Sequence, residues 1–296
     1  MIFKGLSAFP ITPADEEGHV DVKDLVALIR RLKNARVDSI GLLGSTGSYP
    51  YLSRDERRRA IEATIDEVSG AVPVIVGIGA LRTSEVIRLG QDAKEAGADA
   101  ALLAPVSYTP LTEEEVFVHY KTIASEVGLP ICIYNNPTTT RFTFSADLIA
   151  RLSEVPNIRA IKNPTSDALT AAHELPALRA KVADGFSIGY SGDWNATEAM
   201  IAGGTTWYSV AGGLFPSECL RIVRAIQNGQ ADEARMLDAR LQPLWKLFME
   251  HGSLRVVYAA VNLLGLSQKQ PPRPILPLSS TVQNQVLDVL RTLDLN

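Results

Sequence analysis

Two patterns alternate along the chain: short apolar runs, and longer stretches whose apolar positions recur at three- and four-residue intervals. The first kind reads as a buried strand, the second as a helix laying one stripe on a sheet. Leu6-Ser7-Ala8-Phe9 is a first strand, ended by the loop that Pro10 and Pro13 impose. Asp21 then caps a helix whose stripe is Val22, Leu25, Val26, Ile29 and Leu32. Ser39 to Leu43 is a second strand, running into the turn Gly44-Ser45-Thr46-Gly47-Ser48. Ser53-x-x-Glu56 predicts a capping box for the next helix, with Ile61, Ile65 and Val68 inward and Arg57, Arg58 and Arg59 on a partly solvated face. The alternation continues through strands at 72–79, 100–104, 131–134, 158–164, 186–190 and 207–210. Helices follow these at 83–96, from the Thr112-x-x-Glu115 cap, and at 145–153, 170–179, 196–202 and 216–228.

Eight strand-then-helix units with short connections predict an α/β fold, a closed parallel (β/α)8 TIM barrel occupying residues 1–229. An open doubly wound sheet would carry a glycine-rich turn after its first strand, and Phe9-Pro10-Ile11-Thr12-Pro13 is no such turn. The remainder, 230–296, is amphipathic over 231–249, 254–264 and 282–293, and reads as a C-terminal helical extension.

Composition narrows the function. With 29 basic and 33 acidic residues the formal charge is 29 − 33 = −4, so no positive field draws a nucleic acid. Cys132 and Cys219 belong to no CxxC pair, and His19, His119, His173 and His251 lack HxxxH spacing and read as surface or cap residues. Neither a disulfide framework, a metal nor another cofactor is expected. The N-terminus has no signal-peptide pattern and no run approaches the roughly 18 apolar residues of a membrane span, so a soluble, cytoplasmic protein is expected.

Barrels of this kind carry their chemistry at the C-terminal strand ends. That rule selects Ser45 and Thr46, Ser107 and Tyr108, Tyr134 and Asn135, Lys162, Ser191 and Asp193, and Tyr208 and Ser209. Strand alternation puts Lys162 on one face with Ile158 and Ala160. An ammonium among apolar groups pays a desolvation penalty, which favours the neutral amine that attacks a ketone to form a Schiff base. The alternative is a lysine that is ion-paired or reaches solvent past the strand end. The Gly-Ser-Thr-Gly turn offers hydroxyls and backbone N–H groups to a carboxylate, and Tyr134 is placed to relay protons.

Gly44-Ser45-Thr46-Gly47, Tyr134-Asn135-Asn136-Pro137, Ile161-Lys162 and Ser191-Gly192-Asp193 occur in this order. With them the chain resembles, over nearly its whole length, the pyruvate-dependent class I lyases and aldolases that include dihydrodipicolinate synthase and N-acetylneuraminate lyase. The resemblance implies a Schiff-base lysine at Lys162, a proton-relay tyrosine at Tyr134, carboxylate binding by Ser45 and Thr46, and the backbone carbonyl of Tyr208 near the imine. It implies pyruvate or another 2-oxo acid as substrate, no cofactor, and a homo-oligomer, dimer or tetramer. Four places depart from the family pattern. Ser48-Tyr49-Pro50 replaces the usual glutamate, and Val106 and Ser107 stand where the synthases carry paired tyrosines, with Tyr108 displaced by one place. Thr139 stands where those synthases have an arginine, with Arg141 two places along, and Trp194 and Asn195 follow Asp193 where the sialic acid lyases have acidic residues.

The expected activity is therefore condensation of pyruvate with an aldehyde, or cleavage of a 2-oxo-4-hydroxy acid. A second expectation keeps the imine but ends in dehydration or deamination of a 2-oxo sugar acid or cyclic imino acid. A third is a non-catalytic barrel that binds a small 2-oxo acid.

Overall fold

The computed structural model describes residues 2–165 and 167–295. Among them, eight parallel strands close in chain order: β1 (Gly5–Ala8), β2 (Ser39–Leu42), β3 (Val74–Gly77), β4 (Ala100–Leu103), β5 (Ile131–Tyr134), β6 (Ile158–Pro164), β7 (Ser187–Ser191) and β8 (Thr206–Ser209). β8 returns to pair with β1, Ser7 opposite Tyr208. The helices outside are α1 (Val22–Ala35), α2 (Arg54–Val68), α3 (Thr83–Glu95), α4 (Glu113–Val127), the single turn α5 (Pro137–Thr140), α6 (Ala146–Ser153), α7 (Ala168–Arg179), α8 (Asp193–Ile201) and α9 (Pro216–Gln227). The barrel and helical tail expected from the pattern are both present.

Side-chain caps start α1, α2, α4, α6 and α7. Asp21 accepts from the Asp24 N–H at 3.1 Å at the head of α1, and Thr112 and Glu115 form the full reciprocal box that opens α4. Ser53 forms only half of its predicted box. Its Oγ accepts from the Glu56 N–H, but the Glu56 carboxylate turns to the Val20 N–H, at 2.6 Å, and to Arg59. Glu56 thereby pins the β1–α1 loop to α2, a long-range bond that no local pattern encodes.

The core has two layers. Leu6, Ile40, Leu42, Val74, Val76, Ala101, Leu103, Ile133 and Ile161 face the helices. Phe3, Phe9, Ile75, Ala100, Leu102, Cys132, Tyr134, Ala160 and Tyr208 fill the interior. Ile158 corrects the simple alternation: it belongs to the outer layer and does not share a face with Ala160. The register explains why, since Ile131 pairs with Ile158 but Cys132 with Ala160, leaving Arg159 as an extra residue. Arg57 is a second correction. It is buried, with its guanidinium over the Tyr49 ring at 5.1 Å and donating to the carbonyls of Leu52 and Gly79. Arg58 and Arg59 stay on the solvated face and pair with Glu62 and Glu56.

α10 (Ala231–His251), α11 (Ser253–Leu263) and α12 (Ser280–Leu293) make the tail. Trp245 packs edge-on against Trp207 of β8, and Asp238 accepts from Thr197 of α8 at 2.9 Å. Tyr258 of α11 reaches the Thr12 carbonyl at 3.4 Å, so the tail also braces the loop after β1. No helix among the described residues is long and apolar enough to cross a membrane.

Candidate active site

Lys162 points into the barrel and is 4% exposed, the only buried lysine among the described residues. Its Nζ lies 4.0 Å from the centre of the Phe9 ring and 4.2 Å from that of Tyr134, with Tyr208 at 5.8 Å. No ion pair to Lys162 is present among the described residues. The apolar surroundings expected from the sequence are therefore mostly aromatic.

Glycines make room for these rings. A Cβ on Gly41 or Gly44 would collide with the Phe9 ring, and one on Gly189, opposite Lys162 in the ladder, would meet Tyr208 at 2.6 Å. Phe9 is not among the residues that the strand-end rule points to. Its signal was available, because Ser7 and Phe9 share inward parity on a strand facing a glycine-rich neighbour.

Tyr134 projects from the end of β5, where its N–H and C=O neighbours are locked in the ladder opposite Lys162. Its hydroxyl accepts from Asn136 Nδ2 at 3.0 Å and from Ser45 Oγ at 3.4 Å. Asn136 belongs to the Tyr134-Asn135-Asn136-Pro137 motif, although the strand-end rule points only to Tyr134 and Asn135. It earns its place as the donor that fixes the phenol. Ser45 and Thr46 ride on a turn made possible by Leu43, which adopts a left-handed φ of 54°. The Leu43 carbonyl then fills the place of any side chain on Gly77. Thr46 is buried and its hydroxyl has no partner among the described residues. Amine, phenol and the Ser45 hydroxyl thus converge at the C-terminal mouth.

Other selected residues are elsewhere. Tyr108 is 97% exposed and Ser107 donates to the Thr109 carbonyl, so neither reaches the amine within this chain. Asn135 turns to the outer side of the strand, where its Nδ2 meets Asn163. The Tyr208 side chain is fully buried inside the barrel, its hydroxyl 3.3 Å from Cys132 Sγ. Burial pushes that phenol well above its ordinary pKa and pushes the Cys132 thiol up to about 12, so both are neutral filling. Asp193 faces the core at the head of α8, accepting from Trp207 Nε1 at 2.8 Å and the Ala211 N–H at 2.9 Å. Burial raises its pKa against the lowering effect of those bonds. It organises the β8 end. Ser209 likewise accepts from the Gly212 N–H, and Ser191 donates to the Asn163 carbonyl. Arg141 is exposed, in the left-handed region, and Thr139 is exposed on α5.

His119 is mostly buried between α3 and α4, 2.8 Å from Thr83 Oγ1, which corrects its reading as a surface residue. Asp15, Glu17 and His19 bring ligand atoms within 4.8 Å of one another on the β1–α1 loop, far enough into solvent that Asp15 and His19 simply pair at 3.0 Å.

A parallel barrel that holds one amine among rings and hydroxyls at its C-terminal mouth defines a lysine-centred barrel enzyme. The comparisons narrow that class. Residues 2–293 match the model of the dihydrodipicolinate synthetase family. The chain is 36% identical to the 4-hydroxy-tetrahydrodipicolinate synthase of Pseudomonas putida (strain W619), over 95% of both chains. Among solved structures, a dihydrodipicolinate synthase from Agrobacterium tumefaciens str. C58 is 59% identical with a TM-score of 0.96, covering 98% of both chains. The Aquifex aeolicus dihydrodipicolinate synthase is 32% identical with a TM-score of 0.91, covering 99% of both. The chain belongs to the dihydrodipicolinate synthetase family. It is an enzyme of the class I, Schiff-base lyase and aldolase type.

Proposed function

We propose that Lys162 forms an imine with C2 of pyruvate and that the derived enamine adds to an aldehyde. The observation that carries this reading is the Lys162 Nζ held inside the barrel between the Phe9 and Tyr134 rings. Attack of Nζ on C2 forms the C–N bond, and loss of the oxygen as water needs a proton, which the Tyr134 hydroxyl supplies. The resulting iminium is a cation facing two aromatic rings, an attraction worth about 0.5–2 kcal/mol. It draws electrons from C3, so a C3 proton leaves to the same phenol and the enamine attacks the aldehyde carbon. Hydrolysis then releases the product and restores the amine. Ser45 and Thr46 hold the pyruvate carboxylate so that C2 faces the amine. The names of the relatives make aspartate semialdehyde the first acceptor to test.

Incubation with pyruvate and borohydride is expected to add a stable mass at Lys162, and no adduct at saturating pyruvate would overturn the proposal. Lys162→Ala serves as the blank.

Tyr108 in solvent and the Ser107 hydroxyl tied to Thr109 favour a second reading, because the proton relay within one chain ends at Tyr134 and Ser45. Here the imine of a 2-oxo sugar acid or cyclic imino acid loses water or ammonia. Analysing products from a panel of such acids separates the two readings. Leu81 and Tyr108, large side chains standing in solvent, support a homodimer or tetramer, which sedimentation tests. We also infer a division into a barrel, 1–229, and a tail, 230–296.

A further inference from the structure

The end of β6 has two working faces. Lys162 points into the barrel, while the next residue, Asn163, lines an open cavity of about 720 Å³ between α6, α7 and β7. Phe144, Ile149, Leu178 and Tyr190 give it apolar walls. Its floor is the side-chain pair in which Asn135 Nδ2 donates to Asn163 Oδ1 at 3.1 Å. Asn135 is 7% exposed, and its buried Oδ1 has no partner among the described residues. An acceptor taken out of water and left without a donor is a standing cost, and it is removed when the Asn135 amide turns toward the cavity and accepts a ligand's N–H.

The charges at the rim set the sign of that ligand. Lys181 is already committed to Asp147 at 2.6 Å. Glu174 has no ion pair among the described residues. An anion would therefore meet an unpaired carboxylate at the entrance and a carbonyl oxygen at the floor. A cation meets two acceptors. Apolar walls with a few convergent polar groups are the usual form of a small-molecule site. The imine chemistry does not use this space, which lies across β6 from the amine.

We propose that this cavity is a second, non-catalytic binding site for a small amphipathic cation, an apolar body carrying an amidinium or ammonium N–H group. The Asn135 amide turns its Oδ1 into the cavity to accept that N–H, the charge faces Glu174, and the body packs against Phe144, Ile149 and Leu178. The Asn135 backbone N–H donates to the Lys162 carbonyl at 3.0 Å, so an occupant that fixes Asn135 also steadies the strand that presents the amine.

The test is a fluorine NMR titration of the full chain with 4-fluorobenzamidine, with 4-fluorobenzoate as the anionic control. Saturable broadening of the amidine signal is expected, with a Kd on the order of 1 mM or tighter, and no saturation by the benzoate. Ala177→Trp fills the cavity from α7 and should abolish saturation. Asn135→Leu removes the acceptor and should weaken binding about tenfold. Circular dichroism establishes that each variant is folded, and Ala177→Phe replaces the tryptophan variant if that one is not. A response that stays linear in amidine, undiminished binding to a folded cavity-filled variant, or equal affinity for the benzoate would overturn the site. Pyruvate is absent throughout, so the result stands whether or not Lys162 forms an imine.

Discussion

Replacing Tyr134 by phenylalanine separates what the ring does from what the hydroxyl does. The ring, 4.2 Å from Lys162 Nζ, stays in place and continues to wall the amine. The hydroxyl loses one good hydrogen bond, from Asn136 at 3.0 Å, and one long one, from Ser45 at 3.4 Å. At about 1 kcal/mol for the first and less for the second, stability should fall by roughly 1–2 kcal/mol. For a chain of this size that is a drop in Tm of only a few degrees, at about 2–4 °C per kcal/mol. A general acid and base is worth about 10²–10⁴ in rate, or roughly 3–5 kcal/mol of barrier. The two effects therefore separate: the variant should be folded, bind pyruvate, and exchange its C3 protons with deuterium at least about a hundredfold more slowly. Proton NMR of pyruvate in deuterated buffer at saturation reads the rate, and borohydride trapping shows that the imine still forms. Exchange within about threefold of the parent rate would remove Tyr134 from the proton path.

Three further outcomes follow from features away from the phenol. A methyl group on Gly77 collides with the Leu43 carbonyl, so Gly77→Ala should distort the turn carrying Ser45 and Thr46; pyruvate affinity should fall more than Tm, and an unchanged KM would refute the link. Burial lowers the pKa of His119 from 6.5 to about 4, so its neutral form is favoured by folding. The folded-state value lies below the unfolded one, and the contribution is complete above about pH 6.5 and is lost as pH falls toward 4, up to ~3 kcal/mol. His119→Gln should flatten Tm against pH in that window, and a parallel curve would refute the assignment. Cys132 and Cys219 are buried, and burial raises both thiols, so neither should react with a disulfide reagent until the chain unfolds; rapid native labelling would contradict the packing.

Much of this was legible in the sequence, for identifiable reasons. The helix stripes were readable because burial follows the three- and four-residue period, as Leu25, Ile29 and Leu32 of α1 show. Lys162 and Tyr134 were readable because a parallel barrel ties function to strand ends. What stayed hidden depends on partners distant in the chain. Arg57 looks like its neighbours until Tyr49 and the Gly79 carbonyl are seen around it. Glu56 satisfies the capping-box spacing, yet a loop from the far side of α1 takes its carboxylate. Ile158 keeps the right residue type and changes face because β6 carries one residue more than its neighbour. Asp193 stands in a motif that suggests a ligand contact, but a tryptophan two strands' lengths of chain away claims it.

That surplus residue in β6 has a consequence for engineering. Beyond it, each position's choice of inside or outside is out of step with the beginning of the strand, so the nitrogen faces inward only because Arg159 has been spent without a partner. Pairing Arg159 into the ladder would slide the strand by one place and offer the neighbouring residue, not the lysine, to the lumen, whereas deleting it outright should leave Lys162 opposite Tyr134 and facing inward. The orientation of the nucleophile is thus held by a counting irregularity outside the mouth, and anyone transplanting this strand to another barrel must either carry the irregularity with it or drop the surplus residue.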